Sequence, residues 1–537
     1  MEHDTTRSTM DVSSLHVSRA RLKHAQGGPN QPMWTAIRGN VYDIEGWVER
    51  HPGGDVIRVA AGRDATWLFE SYHGKHVENL LEQLYVGKLV DGNDRIEEAG
   101  KITEKNGQMD HVERSPTPTV RKRKNQQHRG MDEPAGREEL EGMKTSTQHG
   151  NDNDPRVSQD SEDVIRKMEE DLEPVATYKT GPFYDELKRR VNKEMRQKGV
   201  NLRSSTSMYV KSALILISCV ITWWNAFFSP YQALRMVCAA LLGFCRAQVG
   251  VSIQHDANHG AYSKNKLAST IAGASLDFVG ASSFMWKQQH VVGHHAYTNV
   301  DEMDPDIRVG EKDVRRVTQH QPWHPHHAFQ HLYLGWLYSL LAIKSFAIDD
   351  FQALHTGRIG NVRINRMTRR EMGIFWAGKL FYFCCVYMLP CLLSTAGWME
   401  VILLWSLNEA VAGWTLAFLF QVAHVVGEVD FIKADEKTGK VDREWAIAQL
   451  ETTADFSHGS SFWLHVSGGL NHQVVHHLFP GVCHTHYPKI APILKQLCLE
   501  KGIKYRVFPS FWSALQAHFR HMKHVGSVKV PSLATIG

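Results

Sequence analysis

The chain has 537 residues, 42% of them hydrophobic and 22% charged, with a formal net charge of +4 at neutral pH. That length predicts two or more domains, and a charge so near balance excludes a globally basic, nucleic-acid-binding surface. The mean hydropathy of -0.34 averages polar and very apolar stretches. The eight cysteines all lie from Cys219 onward, mostly inside apolar runs and with no CxxC pair, so neither a zinc knuckle nor a disulfide framework is expected.

Residues 1–11 are polar and lack the apolar core of a signal peptide, so the domain that follows is expected to stay in the cytosol. Over 12–90, the alternation in TAIRGNVYDI predicts short strands, and GGDVIRVAAGRDATWLF predicts a helix, a turn and another helix. HPGG at 51–54 puts His51 on a tight turn whose glycines let backbone approach a flat ligand. His73 follows 22 residues later and can close the opposite face. This segment resembles the cytochrome b5 family. The resemblance implies an α+β fold that binds haem b, with His51 and His73 as axial ligands and His76 as the less suited second ligand. In a domain without haem, HPGG would be no more than a helix-capping turn. Asp43, Glu45, Glu49, Asp55, Asp64 and Glu70 form a candidate docking face for a basic reductase, the alternative for each being an ordinary solvated surface.

From Asp91 to Thr177 there is no Phe, Tyr or Trp, and polar residues dominate, so this stretch cannot bury a core. It is read as a disordered tether that gives the haem domain a wide search volume. Arg121, Lys122, Arg123 and Lys124 within it are read as a solvated charge run; the alternatives are a nuclear signal or contact with anionic lipid.

The composition turns at Tyr178, where 178–537 is expected to form an all-α integral membrane domain with about four transmembrane helices. FYDELKRRVNKEMRQKG predicts an amphipathic helix at the membrane surface. Apolar runs at 212–228 and 233–253 predict one membrane hairpin, and those at 374–394 and 401–420 a second. Arg235, Arg246, Lys379 and Glu409 inside these runs predict tilt or partial interfacial placement. Lys and Arg are abundant before the first span and between the second and third, and absent from 394–400. The positive-inside rule therefore places the haem domain, 254–373 and 421–537 together on the cytosolic face. The run 332–343 is too short to span and is expected to lie along the bilayer or in a cytosolic core.

Three histidine clusters fall on that side. QHDANHGA carries His255 and His259 at i and i+4, QHVVGHHAYTN carries His290, His294 and His295, and NHQVVHHLFP carries Gln473, His476 and His477 on one expected helical face. Neutral imidazole suits iron, zinc, copper or nickel. Any one cluster also fits a histidine-rich surface loop; three on one side predict a joint metal site. HDxxH, HxxxHH followed by YTN, and QxxHHLFP after two hydrophobic hairpins, all behind a cytochrome b5-like segment, resemble the front-end fatty acid desaturases. The resemblance covers 12–90 and 178–525.

It implies two non-haem iron ions held by His255, His259, His290, His294, His295, His476 and His477. His424, in QVAHVVGEV, matches a further family histidine and is an eighth candidate, with a structural role as the alternative. Gln473 is expected to ligate through its side chain or a water, or to orient its neighbours. Asp256, Asn258, Asp304 and Asp306 are candidate partners for the second ring nitrogens, with capping or turn formation the alternative. His458, His465, His472, His484 and His486 are read as solvent or core histidines. The resemblance further implies O2 as cosubstrate and electrons from NADH through a cytochrome b5 reductase and the fused haem. The expected substrate is a phospholipid-bound or CoA-bound fatty acyl chain at the endoplasmic reticulum membrane. VGHHAYTN, QVVHHLFP and ETTADFSHGS look most like the Δ5 branch. Δ4, Δ6 and Δ8 acyl desaturases, a sphingoid-base desaturase and a hydroxylase are alternatives, and a membrane-anchored haem electron carrier is the alternative of another class.

Overall fold

The computed structural model describes residues 15–28, 31–74, 77–90, 176–179, 181–307, 314–435 and 438–529. Nearly all of the expected tether, its basic run and His76 lie outside these residues.

The N-terminal domain is built on a four-stranded sheet in the order His16–Ser18, Tyr85–Val90, Asn40–Asp43, Trp34–Ile37. Trp34–Ile37 and Asn40–Asp43 form a hairpin whose two turn residues, Arg38 and Gly39, both have positive φ, 53° and 75°. That is the turn geometry whose twist matches paired strands. Arg38 is held there by ion pairs to Glu70 and Glu78. The first expected helix is the 3-10 segment Gly54–Ala60, and the second is the α-helix Thr66–Tyr72, which His73 caps at its C-terminus. Two carboxylates of the expected reductase face are engaged within the chain: Glu70 pairs with Arg38 and Lys188, and Asp55 with Arg370. Glu45 and Glu49 stay exposed.

Four helices form the two hairpins: Thr206–Phe228, Gln232–Asn258, Arg369–Leu393 and Trp398–His424. Each has at least 23 residues, enough at 1.5 Å per residue to cross a hydrocarbon core of about 30 Å. All four extend beyond the apolar runs because polar caps and histidine motifs continue the helix. Thr368 and Glu371 make a reciprocal capping box at the third, and the second runs through a π-turn, Val249–Gln254, into His255–Asn258.

The charges inside the spans are paired within the protein. Arg235 meets the Glu400 carboxylate with two bonds of 2.9 Å, joining the hairpins at the end remote from the histidines. Arg246 pairs with Glu409 at 2.9 Å, and Glu409 also accepts from the Tyr382 hydroxyl. Lys379 donates to Asp350 at 2.6 Å and to the Gly280 carbonyl at 2.8 Å. Gly243 lies where the second and fourth helices touch, with no room for a side chain against the Asn408 backbone.

Two expectations need correction. The 332–343 run belongs to a 32-residue helix, Pro325–Thr356, long and apolar enough to cross a membrane. Its ends nevertheless both pack at the histidine end of the bundle. Near the first, Gln330 donates to the Met522 carbonyl; just past the second, Val362 packs on Val292 beside His294. The amphipathic helix Pro182–Gln197 is not a surface-lying membrane element. Phe183, Tyr184, Leu187, Val191 and Met195, its apolar stripe, are buried against Trp445, Ile490, Leu494 and Leu497 of the C-terminal segment, so protein already covers the face a bilayer would need.

Removing one partner of a buried ion pair strands the other charge, typically at a cost of about 3–5 kcal/mol. Glu409→Ala is therefore expected to lower the thermal midpoint of the detergent-solubilised protein sharply, whereas Arg246→Met with Glu409→Leu recovers most of the loss. An unchanged midpoint for the single variant would contradict this account of the bundle.

Candidate metal centre

The histidines sit where the helices end. His255 lies on the last turn of the second span and His259 caps it, while His424 is the final residue of the fourth. His290 and His294 lie in a second π-turn, Lys287–His294, which His295 follows. His476 and His477 lie in the short helix Gln473–Leu478. π-turns in α-helices recur at functional sites, because the inserted residue re-aims the side chains on either side of it.

All eight histidines are buried, and seven fall into two groups. One nitrogen from each of His255, His259, His290 and His476 lies within 4.8 Å of the others; the same holds for His294, His424 and His477. His295 stands between the groups, its Nε2 3.2 Å from His290 Nε2 and its ring stacked on His477 at 4.5 Å. Gln473 shares the second group's space, its amide nitrogen 3.0 Å from His424 Nε2 and 3.4 Å from His477 Nε2. Gln473, His476 and His477 thus do not share one face: His476 turns to the first group, the other two to the second.

The outer ring nitrogens are held by the chain. His290 Nδ1 lies 2.8 Å from the Asp306 carboxylate and His294 Nδ1 2.9 Å from that of Asp304. His259 Nδ1 meets the Tyr72 hydroxyl at 2.8 Å, and His476 Nδ1 meets that of Tyr487 at 3.1 Å. Thr298 donates its proton to the His294 carbonyl and accepts from His477 Nδ1 at 3.1 Å. Each of these contacts presents Nε2 inward. Asn299 is the clamp of the YTN motif, with φ of 51° and its amide donating to the His424 carbonyl at 2.8 Å.

The inner nitrogens fit a cation. Nε2 of His259, His294 and His476 and both nitrogens of His255 are buried with no hydrogen-bond partner. Leaving such groups unsatisfied is costly, and a metal ion satisfies them. Burial pulls His290 down to about 4 against the opposing Asp306, and pulls His295, His476 and His477 well below the usual histidine range. These rings are therefore neutral at pH 7, the form that binds metal. Burial also acts on His294, but Asp304 and Asp306 more than offset it and raise that ring above its ordinary value.

Of the four expected outer partners, Asp304 and Asp306 act as anticipated. Asp256 instead accepts from the backbone and ring of His484, the latter at 2.9 Å, and Asn258 bonds Gln254 and the Gly273 carbonyl. Tyr72, Thr298 and Tyr487 escaped the sequence reading. The place of Thr298 in YTN, directly after the histidine pair, was a usable signal; Tyr487, eleven residues beyond His476, offered none.

The second site lies in the N-terminal domain. The His51 and His73 rings face each other with centroids 5.9 Å apart, room for one ion with metal–nitrogen bonds of about 2 Å on each side. His73 Nδ1 donates to the Phe69 carbonyl at 3.0 Å, which leaves Nε2 as the nitrogen to bind a metal. Burial, helped by the neighbouring His73, pulls His51 down to about 4. A cavity of about 560 Å³ lies beside His73, which lines it together with Trp67, Tyr178, Tyr297 and Trp445 among others. None of the eight clustered histidines borders it, so it is not where the inner nitrogens meet.

Residues 18–90 match the cytochrome b5-like haem/steroid-binding domain, and residues 232–509 match the fatty acid desaturase family. The chain is 41% identical over 494 residues to an acyl-lipid (8-3)-desaturase of Physcomitrium patens, covering 92% of this chain and 88% of that one. It is 31% identical to an acyl-lipid (8-3)-desaturase of Mortierella alpina, over 92% of this chain and 94% of the other. A Delta(5) fatty acid desaturase A of Dictyostelium discoideum is also 31% identical, over 92% and 90%. Two domains matched in this order, over relatives of nearly equal length, leave one conclusion: the chain belongs to the front-end fatty acid desaturases, oxidoreductases that carry a cytochrome b5 domain at the N-terminus.

Proposed function

We propose that the chain is an acyl-lipid desaturase that inserts a cis double bond at Δ5 of a polyunsaturated acyl chain, on the cytosolic face of the endoplasmic reticulum. The observation that carries the chemistry is the pair of buried imidazole groups whose inner nitrogens lack partners. The Δ5 position rests on the motif resemblance and on the Dictyostelium relative's name; the two (8-3)-desaturase relatives support action on acyl lipid rather than acyl-CoA.

In this reading His255, His259, His290 and His476 would hold one iron, and His294, His424 and His477 the other. His295 lies between them and Gln473 beside the second. A pair of irons supplies the dioxygen chemistry that removes hydrogen from an unactivated methylene, which no side chain can do. The chain's own part is to position and to exclude water. Asp304, Asp306, Thr298, Tyr72 and Tyr487 fix the imidazoles by their outer nitrogens, which also raises ligand basicity. The site lies at the ends of the spans, within reach of an acyl chain rising from the bilayer. His51 and His73 would hold a haem that passes electrons singly from an NADH-dependent reductase, for which exposed Glu45 and Glu49 remain as docking charges.

Yeast expressing the chain and fed single polyunsaturated acids is expected to accumulate product with a new double bond at Δ5; a double bond at another carbon overturns the position, and an alcohol overturns desaturation in favour of hydroxylation. His51→Ala, His294→Ala and His476→Ala are each expected to abolish product. Product surviving in the last two would mean that the membrane half is only an anchor for an electron carrier. Purified protein should carry two non-haem irons per chain, and Asp304→Ala should reduce iron affinity or turnover roughly 10- to 100-fold, measured by iron titration and product assay. Full iron retention and full turnover in that variant would remove Asp304 from the site.

A further inference from the structure

We infer that Tyr72 is a positioning residue for electron delivery, joining the haem-binding histidine pair to the histidine centre in a pose already formed in the fold. Tyr72 is the residue immediately before His73, so one peptide bond separates it from a proposed haem ligand. Its hydroxyl lies 2.8 Å from Nδ1 of His259, a member of the first histidine group. The inner nitrogen of that same ring is one of the buried atoms with no partner. A short covalent path and one hydrogen bond thus connect the two sites. The phenol ring packs on Gly481, just after the third histidine motif, where a Cβ would press on Tyr72 at 3.1 Å.

The surrounding contacts hold this pose by shape and by backbone hydrogen bonds, not by loose surface charge alone. Arg63 is buried and donates to the Arg363 carbonyl at 2.8 Å and to Asn365. The Asn365 amide donates back to the Arg58 and Ala61 carbonyls, both at 3.0 Å. Arg363 reaches the Gly62 carbonyl at 2.9 Å and Lys266 the Glu49 carbonyl at 2.8 Å. Val59 and Leu68 of the haem domain pack on Val292 and Val362, and Trp67 meets Tyr178 edge-on at 5.3 Å. Bonds to backbone carbonyls fix orientation as well as proximity, and in this pose the Tyr72 hydroxyl meets His259.

This inference rests on the proposed role of the haem as electron donor. Desaturation converts a CH2–CH2 unit and O2, with two electrons and two protons from outside, into CH=CH and two waters. Each electron leaves ferrous haem, which becomes ferric, so the haem must deliver twice per turnover. Tyr72 is not itself oxidised in this scheme; its hydroxyl keeps the His259 ring and the haem domain in register.

The test uses the full chain carrying haem and iron. Tyr72→Phe keeps the ring and removes the hydroxyl. It is expected to leave the haem spectrum, midpoint potential and KM for acyl substrate unchanged, while slowing haem reoxidation and kcat, both normalised to bound iron, roughly 10-fold. The spectroscopic signature is reduced haem accumulating during steady-state turnover. Asn365→Ala, which removes the amide that bonds the haem domain at Arg58 and Ala61, should shift reoxidation in the same direction. Reoxidation at the parental rate in Tyr72→Phe overturns the inference, as does a loss of turnover fully accounted for by lost iron. Failure of the underlying reading would look different: His51→Ala, which should lack haem, would still make product.

Discussion

The structure depends on burying eight imidazoles at one end of a helix bundle without leaving their polar atoms stranded. A ring nitrogen taken out of water needs a partner, and the chain supplies most of its partners on the outside of the cluster, Gln473 on the inside being the exception. Carboxylates serve His290 and His294, hydroxyls serve His259, His476 and His477. The inner nitrogens gather in two groups, and several of them are left without a partner, an arrangement that fits cations. Burial and ligand competence here have a single cause.

That demand explains much of the surrounding architecture. The spans bring His255 and His424 to the same level only if the two hairpins are in register, and pairing of Arg235 with Glu400 and Arg246 with Glu409 sets that register at two depths. Charged pairs in a helix bundle are a poor source of stability but can specify one arrangement over another. Asn299 then ties the 290–295 segment to the end of the fourth span by bonding the His424 carbonyl. The haem domain extends the same logic beyond the membrane half, since Tyr72 completes a ring nitrogen of the centre from outside it.

The fold class, both domains and all three histidine motifs were legible in the sequence because each is local: an HPGG turn, apolar runs of spanning length, and histidines a few residues apart. What was not legible depends on three-dimensional neighbours. Arg246 and Glu409 read as flaws in two spans because their pairing crosses 163 positions. The apolar stripe of Pro182–Gln197 fits a bilayer surface equally well until Trp445 and Leu494 are seen to cover it. The 332–343 run looked too short because the polar residues flanking it, Gln330 and Asp350 among them, find buried partners and so remain helical. Asp256 was a reasonable partner for His255 by sequence but is taken by His484, 228 residues away.

The histidine doublets show why the motifs take the form they do. Successive residues on a helix point about 100° apart, so two adjacent histidines cannot present the same face. In this chain they present two: His476 joins the first group and His477 the second, while His294 joins the second and His295 turns back to His290. His255 and His259, one helical turn apart, share a face and serve one group between them. A doublet can thus serve two neighbouring histidine groups from one helix. The π-turn through Lys287–His294 contributes to the same end, because its wider turn lets His290 stack on His294 at 5.1 Å while remaining 4.8 Å from His295. The doubled histidine is thus the local mark, readable in one dimension, of a centre that is double in three.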